Sequence, residues 1–210
     1  GSTYGVRIVY DDNANKVVVA YRDSGNSNHG YAAVGTVSGT SISWGTPVVF
    51  ESNNISGDLW ASYDSAENKV VIAYSANVGS AQGEAIVGDV SGTSISFGTG
   101  VIFSTNAASQ FGCAYDVANA KTVIAYRDGS TDGMAVVATV SGTSISYGTP
   151  VQYNNGNSIY NDVIYDSNAE KVVISFRDAS ASDNGKAVVG TVSGTSISYG
   201  AVATFASATT

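Results

Sequence analysis

The sequence predicts an all-β fold made of four tandem repeats, and three observations carry that expectation. The string Val-Ser-Gly-Thr-Ser-Ile-Ser begins at Val37, Val90, Val140 and Val192, at intervals of 53, 50 and 52 residues. A second anchor, a Tyr-Asp pair with a Lys five residues after the Asp, recurs as Tyr10-Asp11 with Lys16, Tyr63-Asp64 with Lys69, Tyr115-Asp116 with Lys121 and Tyr165-Asp166 with Lys171. Between the anchors lie short Val- and Ile-rich runs punctuated by Gly, Asn and Ser, which is a strand-and-turn pattern without helical periodicity. The repeats run over about 3–54, 55–106, 107–156 and 157–210. A unit of about 50 residues is too small to be comfortable alone, so residues 1–210 are read as one cooperative domain.

Within one repeat the pattern reads as four strands. Val6 to Tyr10 is the first, A, followed by a polar turn, and Lys16 to Tyr21 is the Val-rich second, B. After a polar loop, Tyr31 to Val37 is strand C, Ser38-Gly39-Thr40 is a tight turn, and Ser41 to Phe50 is strand D, expected to break at Gly45. The glycine after each aromatic (Trp44, Phe97, Tyr147, Tyr199) predicts a bulge or bend, because Gly inside a strand weakens it without a backbone reason.

Strand B is almost continuously apolar (Val17-Val18-Val19-Ala20, Val70-Val71-Ile72-Ala73), which requires cover on both faces. Sheets packed face to face around an axis satisfy that requirement. The expected architecture is a β-propeller of four blades, each of four antiparallel strands, with half of an eight-bladed ring formed by a dimer as the alternative. The Tyr-Asp, four-residue turn, Lys hairpin resembles the bacterial propeller blades of kelch-like and beta-lactone-enzyme-neighbour type. The form VSGTSIS-aromatic-Gly-Thr-Pro-Val is more similar still to repeat proteins of marine phages and metagenomes. That resemblance implies a propeller of phage or secreted surface origin, and together with the low charge and the one-sided loop divergence it supports the expectation of a carbohydrate-binding or adhesin-like role and an extracellular or virion-associated location.

Composition narrows the partners. Charged residues make up only 12% of the chain, against about a quarter in ordinary domains, and the 24 glycines suit many short strands joined by tight turns. A net charge of −8 repels a phosphate backbone, so nucleic acid is not the expected partner. No apolar run approaches the roughly 20 residues a spanning helix needs, and no membrane insertion is expected. Gly1-Ser2 in place of an initiating Met resembles a remnant of an expression vector. The single cysteine, Cys113, excludes an intramolecular disulfide and reads as a small buried hydrophobe. No cofactor is implied, and the chain is expected as a monomer or a self-associated dimer.

Antiparallel strands put the A–B and C–D turns on one side of the domain and the B–C and D–A loops on the other. The first side is constant among the repeats, with the Asp expected to cap its turn, the Lys to neutralise it and the Tyr to pack between blades. The second side varies: Asp23 to Gly30 carries Asn26, Asn28 and His29, whereas the third repeat has only Asp128 to Gly133, and Glu51 to Asp58 differs from Asn154 to Tyr160. Variable loops on a rigid scaffold commonly carry function, although longer loops are also simply less constrained than hairpin turns.

Three residues before each repeated Tyr the copies hold Arg7, Trp60, Gly112 and Asp162, a mixed ring of cation, indole, gap and carboxylate. That ring suits a glycan or other small polar ligand; its structural counterpart is an Arg7–Asp162 salt bridge closing the ring. Strand B ends in Arg22-Asp23, Arg127-Asp128 and Arg177-Asp178, but in Ser75-Ala76 in the second repeat. These pairs read either as glycan contacts or as an inter-blade rail of ion pairs and hydrogen bonds. The candidate ligand-binding residues are therefore Arg7, Trp60, Asp162, Arg22, Asp23, His29, Arg127, Asp128, Arg177 and Asp178.

Catalytic and metal signatures are missing from the sequence. His29 is the one histidine and lies in an Asn- and Ser-rich loop, far from the spacing of a nucleophile triad or a zinc site. No phosphate-binding loop or EF-hand spacing occurs. A glycoside hydrolase or lyase needs two carboxylates about 5–10 Å apart. Glu84, Asp58, Asp132 and Asp162 are candidates on the variable side, with no pair singled out. The leading expectation is a ligand-binding module rather than an enzyme, with a structural or protein-interaction module as the second reading.

Overall fold

The computed structural model describes residues 1–76 and 81–207, and within them the chain is all-β. The first unit comprises β1 (Thr3–Asp11), β2 (Lys16–Asp23), β3 (His29–Ser38), β4 (Ser41–Trp44) and β5 (Val48–Glu51). The second comprises β6 (Ile55–Asp64), β7 (Lys69–Ala76), β8 (Gln82–Ser91), β9 (Ser94–Phe97) and the start of β10 (Val101–Asp116). The remainder of β10 opens the third unit, followed by β11 (Lys121–Asp128), β12 (Gly133–Ser141), β13 (Ser144–Tyr147) and β14 (Val151–Asn154). The fourth comprises β15 (Ser158–Asp166), β16 (Lys171–Asp178), β17 (Asn184–Ser193), β18 (Ser196–Tyr199) and β19 (Ala203–Ala206).

Each unit is an antiparallel meander in which the fourth strand is split, so that β4 and β5 both pair with β3, and β18 and β19 both pair with β17. The break falls at the glycine after the aromatic, where Gly45 N–H still donates to Val34 O at 2.8 Å. A Cβ on Gly45, Gly98 or Gly148 would lie 1.8–2.0 Å from the carbonyl oxygen of Thr93, Thr143 or Thr195 in the following unit. The glycine is required because the neighbour's C–D turn presses against it, rather than by its own φ.

One connection departs from the sequence reading. Between the second and third units no loop intervenes, because β10 pairs first with β8 and then with β11 as one strand of 16 residues. Its backbone groups pass from one partner to the other through register shifts, so no turn is needed. The two units thereby share a single nine-stranded sheet.

The inner strands β1, β6, β10 and β15 pack side by side in that order, and the sheets curl into a half-barrel. Three cores lie between successive units. Val18, Ala20 and Val34 of the first meet Leu59, Val70 and Ile72 of the second. Val71, Ala73 and Val87 meet Phe111, Cys113 and Ile124. Val123, Ala125 and Val137 meet Val163, Val172 and Ile174. Alternation along strand B therefore sends odd and even residues to different cores, which is the cover on both faces that its continuous hydrophobicity demands. An aromatic cluster bridges each boundary: Phe50 with Tyr74 and Phe97, Phe103 with Tyr126 and Tyr147, and Tyr153 with Phe176 and Tyr199, at centroid separations of 5.2–6.0 Å. Such tilted pairs add about 0.5–1.5 kcal/mol each beyond the area they bury.

The constant turns behave largely as expected. Asp11, Asp64, Asp116 and Asp166 each accept a turn N–H, at 2.8 Å from Ala14, 3.1 Å from Glu67, 3.1 Å from Asn119 and 3.0 Å from Ala169. The lysines do not neutralise those aspartates. Lys121 and Lys171 donate to turn carbonyls, and Lys69 pairs with Asp89 of the adjacent β8 at 3.0 Å.

Two stability measurements check this packing by urea denaturation. Gly148→Ala places a methyl against the Thr195 carbonyl and is expected to cost about 1–3 kcal/mol. Thr122 is fully buried with an unpartnered hydroxyl where the other repeats carry Val17, Val70 and Val172. Thr122→Val is expected to stabilise by about 1–2 kcal/mol, since it removes a desolvated hydroxyl without changing shape.

Candidate functional site

Each inner strand is irregular near its start. The ladders slip between Tyr4 and Arg7, Ile55 and Leu59, Ser109 and Gly112, and Ile159 and Asp162, which are equivalent places in the four units. At the bulge, Gly5, Gln110 and Tyr160 have φ of 60°, 56° and 55°. For Gln and Tyr that left-handed conformation costs on the order of 1–2 kcal/mol, so the surrounding contacts must hold it. A bulge leaves one residue unpaired and turns its side chain out of the alternating pattern.

The four bulges converge on one cavity of about 410 Å³ at the N-terminal ends of the inner strands, the side of the variable loops. The first unit contributes Arg7, the second Asp58, Leu59 and Trp60, the third Gln110 and Phe111, and the fourth Tyr160, Asn161 and Asp162. Arg7 lies over the Trp60 ring, with Cζ 4.3 Å from the centroid, and donates to Val6 O at 2.9 Å. The second, third and fourth units are joined by hydrogen bonds through the bulges. Gln110 N–H donates to Asp58 Oδ2 at 3.1 Å, Tyr160 N–H to Gln110 Oε1 at 2.8 Å, and Asn161 Nδ2 to Gln110 O at 2.8 Å. Asn161 Oδ1 in turn accepts from Ser158 Oγ, which is bonded to the buried Tyr153 hydroxyl.

Of the ten candidate residues read from the sequence, the structure brings together three: Arg7, Trp60 and Asp162. They do not form the ring that was expected. Gly112 is not a gap, because it is buried and its missing Cβ would lie 2.8 Å from Asp162 Cα, so it permits two inner strands to meet. Arg7 and Asp162 form no ion pair. Among the described residues the ion pairs are Lys69–Asp89, Arg177–Asp183 and Lys186–Asp178, and Arg7 is committed to the indole.

The other seven candidates lie outside the cavity, at the B–C hairpins. Arg and Asp do not pair with each other there. Asp23, Asp128 and Asp178 cap their own turns by accepting from Gly25, Ser130 and Ser180 N–H at 2.8–3.0 Å. Arg22 and Arg127 reach forward to the next unit, to Ile55 O at 3.4 Å and Asn157 Oδ1 at 3.2 Å. Arg177 has no such neighbour and folds back over Tyr160 and towards Asp183. His29 is not in a loop. Ser27 and Asn28 make the reversal with φ of 53° and 60°, so His29 opens β3 opposite Asp23, half-buried. The B–C loop of the second repeat, 77–80, lies outside the described residues.

Sequence reading missed Gln110, Tyr160 and Asn161. Their signal is divergence: the position two before Arg7, Trp60, Gly112 and Asp162 holds Gly5, Asp58, Gln110 and Tyr160. Only the bulge shows that this variable position faces the cavity.

Away from the cavity, Glu84 and Glu51 flank the buried Tyr74, whose hydroxyl is 3.4 Å from Glu51 Oε2. Burial, then the two carboxylates, push the Tyr74 phenol far above its ordinary range. Glu84 is raised from its ordinary value chiefly by desolvation and secondarily by Glu51, against a lowering by Tyr74. Cys113 sits in the core between the second and third units, and burial pushes its thiol up to about 12. No protein-family model matches the chain, and no curated protein matches it.

Because Glu84 is raised in the fold, the folded state holds its proton more tightly than the unfolded chain does. Its cost is absent below the ordinary carboxylate range and appears in full as pH rises past the folded value. Glu84→Gln is therefore expected to stabilise the protein at neutral pH, by up to about 1 kcal/mol for a partly solvated group. The advantage should vanish in acid when wild type and variant are unfolded in parallel.

Proposed function

We propose that the four units are propeller-type blades and that the chain binds a small glycan or similar polyhydroxylated ligand in the cavity at the ends of the inner strands. The observation that carries this reading is the convergence of four different chemistries on one cavity from equivalent positions of a repeat. Tyr160 supplies an exposed aromatic ring, the stacked Arg7 and Trp60 a cation on an indole, Asp58 and Asp162 carboxylates, and Gln110 an amide. Sugars present an apolar C–H face and a rim of hydroxyls, and this mixture answers both. Aromatic rings cover the first, and carboxylates and amides accept and donate to the second. A volume of about 410 Å³ falls within the roughly 300–1,000 Å³ of small-molecule sites. Tyr160 is exposed at the rim, with the Arg177 guanidinium 5.1 Å from its ring centre and the rest of the ring open to a sugar.

The two carboxylates are also part of the cavity wall. Asp58 is already an acceptor for Gln110 N–H, and Asp162 Oδ1 for Val163 N–H at 2.8 Å. Both groups hold backbone in place. The small share of charged residues and the resemblance of the VSGTSIS motif to phage repeats support an adhesin-like role outside the cell or on a virion.

A glycan array followed by calorimetry with the best ligand tests the reading. Trp60→Ala and Asp162→Asn are expected to weaken binding at least tenfold, while Asp23→Asn and Arg127→Ala, remote from the cavity, leave it within about twofold. No binding by the wild-type chain to any glycan, or equal binding by all four variants, would overturn it.

A further inference from the structure

Every boundary between units is assembled from the same parts, and the two end units carry those parts unmated. On the first unit the backward face is open: Ile8 is 63% exposed, whereas its equivalents Cys113 and Val163 are 5% and 4% exposed inside boundaries. Tyr10 and Trp44 are also exposed, and Tyr21 has only Tyr31 of its own unit beside it. On the fourth unit the forward face is open, with Ile164 and Val189 exposed. Phe205 is 68% exposed where its equivalent Phe50 is 7%.

These remnants are complementary. Each internal boundary joins one aromatic of the leading unit to two of the following unit, and the ends hold one such aromatic, Phe205, and two such partners, Tyr21 and Trp44. Each internal boundary also sets a glycine under the carbonyl of a Thr in the next turn. Gly200 has no such neighbour: a Cβ there would meet nothing closer than Val189 O at 3.9 Å. Thr40 is the unmated turn at the other end. Arg177, whose counterparts Arg22 and Arg127 reach the following unit, has only its own unit to contact.

We propose that the forward face of the fourth unit docks on the backward face of the first unit of a second copy of this chain. Made twice, this contact closes two half-barrels into one ring of eight units. Phe205 of each copy lies between Tyr21 and Trp44 of the other, Ile164 and Val189 cover Ile8 and Val19, and Gly200 receives the Thr40 turn. A single copy does not mate its own ends, since β1 and β15 lack the extensive side-by-side packing that joins the other inner strands. An end-to-end contact whose rotation closes yields a finite ring rather than a filament, and two half-turns close. The assembly stands independently of the glycan reading. It also brings a second set of cavity residues to the same axis.

Sedimentation velocity of the 210-residue chain across the micromolar range is expected to show a two-copy species. Gly200→Ala adds a methyl that has room within one copy and collides only with a docked turn. It should weaken association at least tenfold with an unchanged circular dichroism spectrum. Phe205→Asp should do the same, whereas Val117→Asp, an exposed site in the 116–121 turn, should leave the pair intact. A wild-type monomer throughout, a series of species growing with concentration, or a Gly200→Ala chain that pairs like wild type would each overturn the proposal.

Discussion

The rest of the structure depends on the need of each sheet for a neighbour on both faces. In strand B of the second and third units, residues 70–74 and 122–126 are buried at every position and apolar at all but Thr122, which one layer of sheet cannot achieve. The solution is three near-identical boundaries, each with an aliphatic centre, an aromatic cluster towards one edge and a glycine–turn contact at the outer rim. The same rule explains what looks irregular at the ends. Val6, Ile8 and Tyr10 on the first unit and Phe205 on the fourth are exposed because no unit of this chain stands against those faces.

The cavity is a by-product of how the inner strands begin. Side-by-side packing brings the four inner strands to one place, and the bulges of the second, third and fourth units turn Asp58, Gln110 and Tyr160 out of the pleat toward the cavity. Repetition supplies the geometry, and departure from repetition supplies the chemistry. Because the bulge residues also bond from unit to unit through Asp58, Gln110 and Asn161, the cavity wall is held by the groups that would meet a ligand. A scaffold of this kind presents polar side chains with little freedom, which reduces the entropy lost on binding.

Aspartates here serve mainly as local caps. Four close the A–B turns and three close the B–C turns, each by accepting backbone donors in its own hairpin. This explains why the Arg-Asp sequences at the ends of strand B are not ion pairs: the carboxylate turns inward to its loop, and in the first and third units the guanidinium reaches outward to the next unit. Two residues adjacent in sequence thus serve different boundaries.

Local sequence determined the strands, the turns and the break in the outer strand, because those depend on alternation, on Gly and Asn at reversals, and on Asp beside a turn. It also pointed to Arg7, Trp60 and Asp162, since equivalent positions in a repeat occupy equivalent places and a change of residue there is visible in the string. Tertiary structure alone decided the rest. That Gly112 is a contact and not a gap, that β10 joins two units without a loop, and that Gln110 and Tyr160 reach the cavity all follow from where separate strands meet. Whether a face is buried depends on what stands beside it. The same Phe, Tyr and Gly that make a core between inner units make an open surface at the ends, and no pattern within a single repeat distinguishes the two.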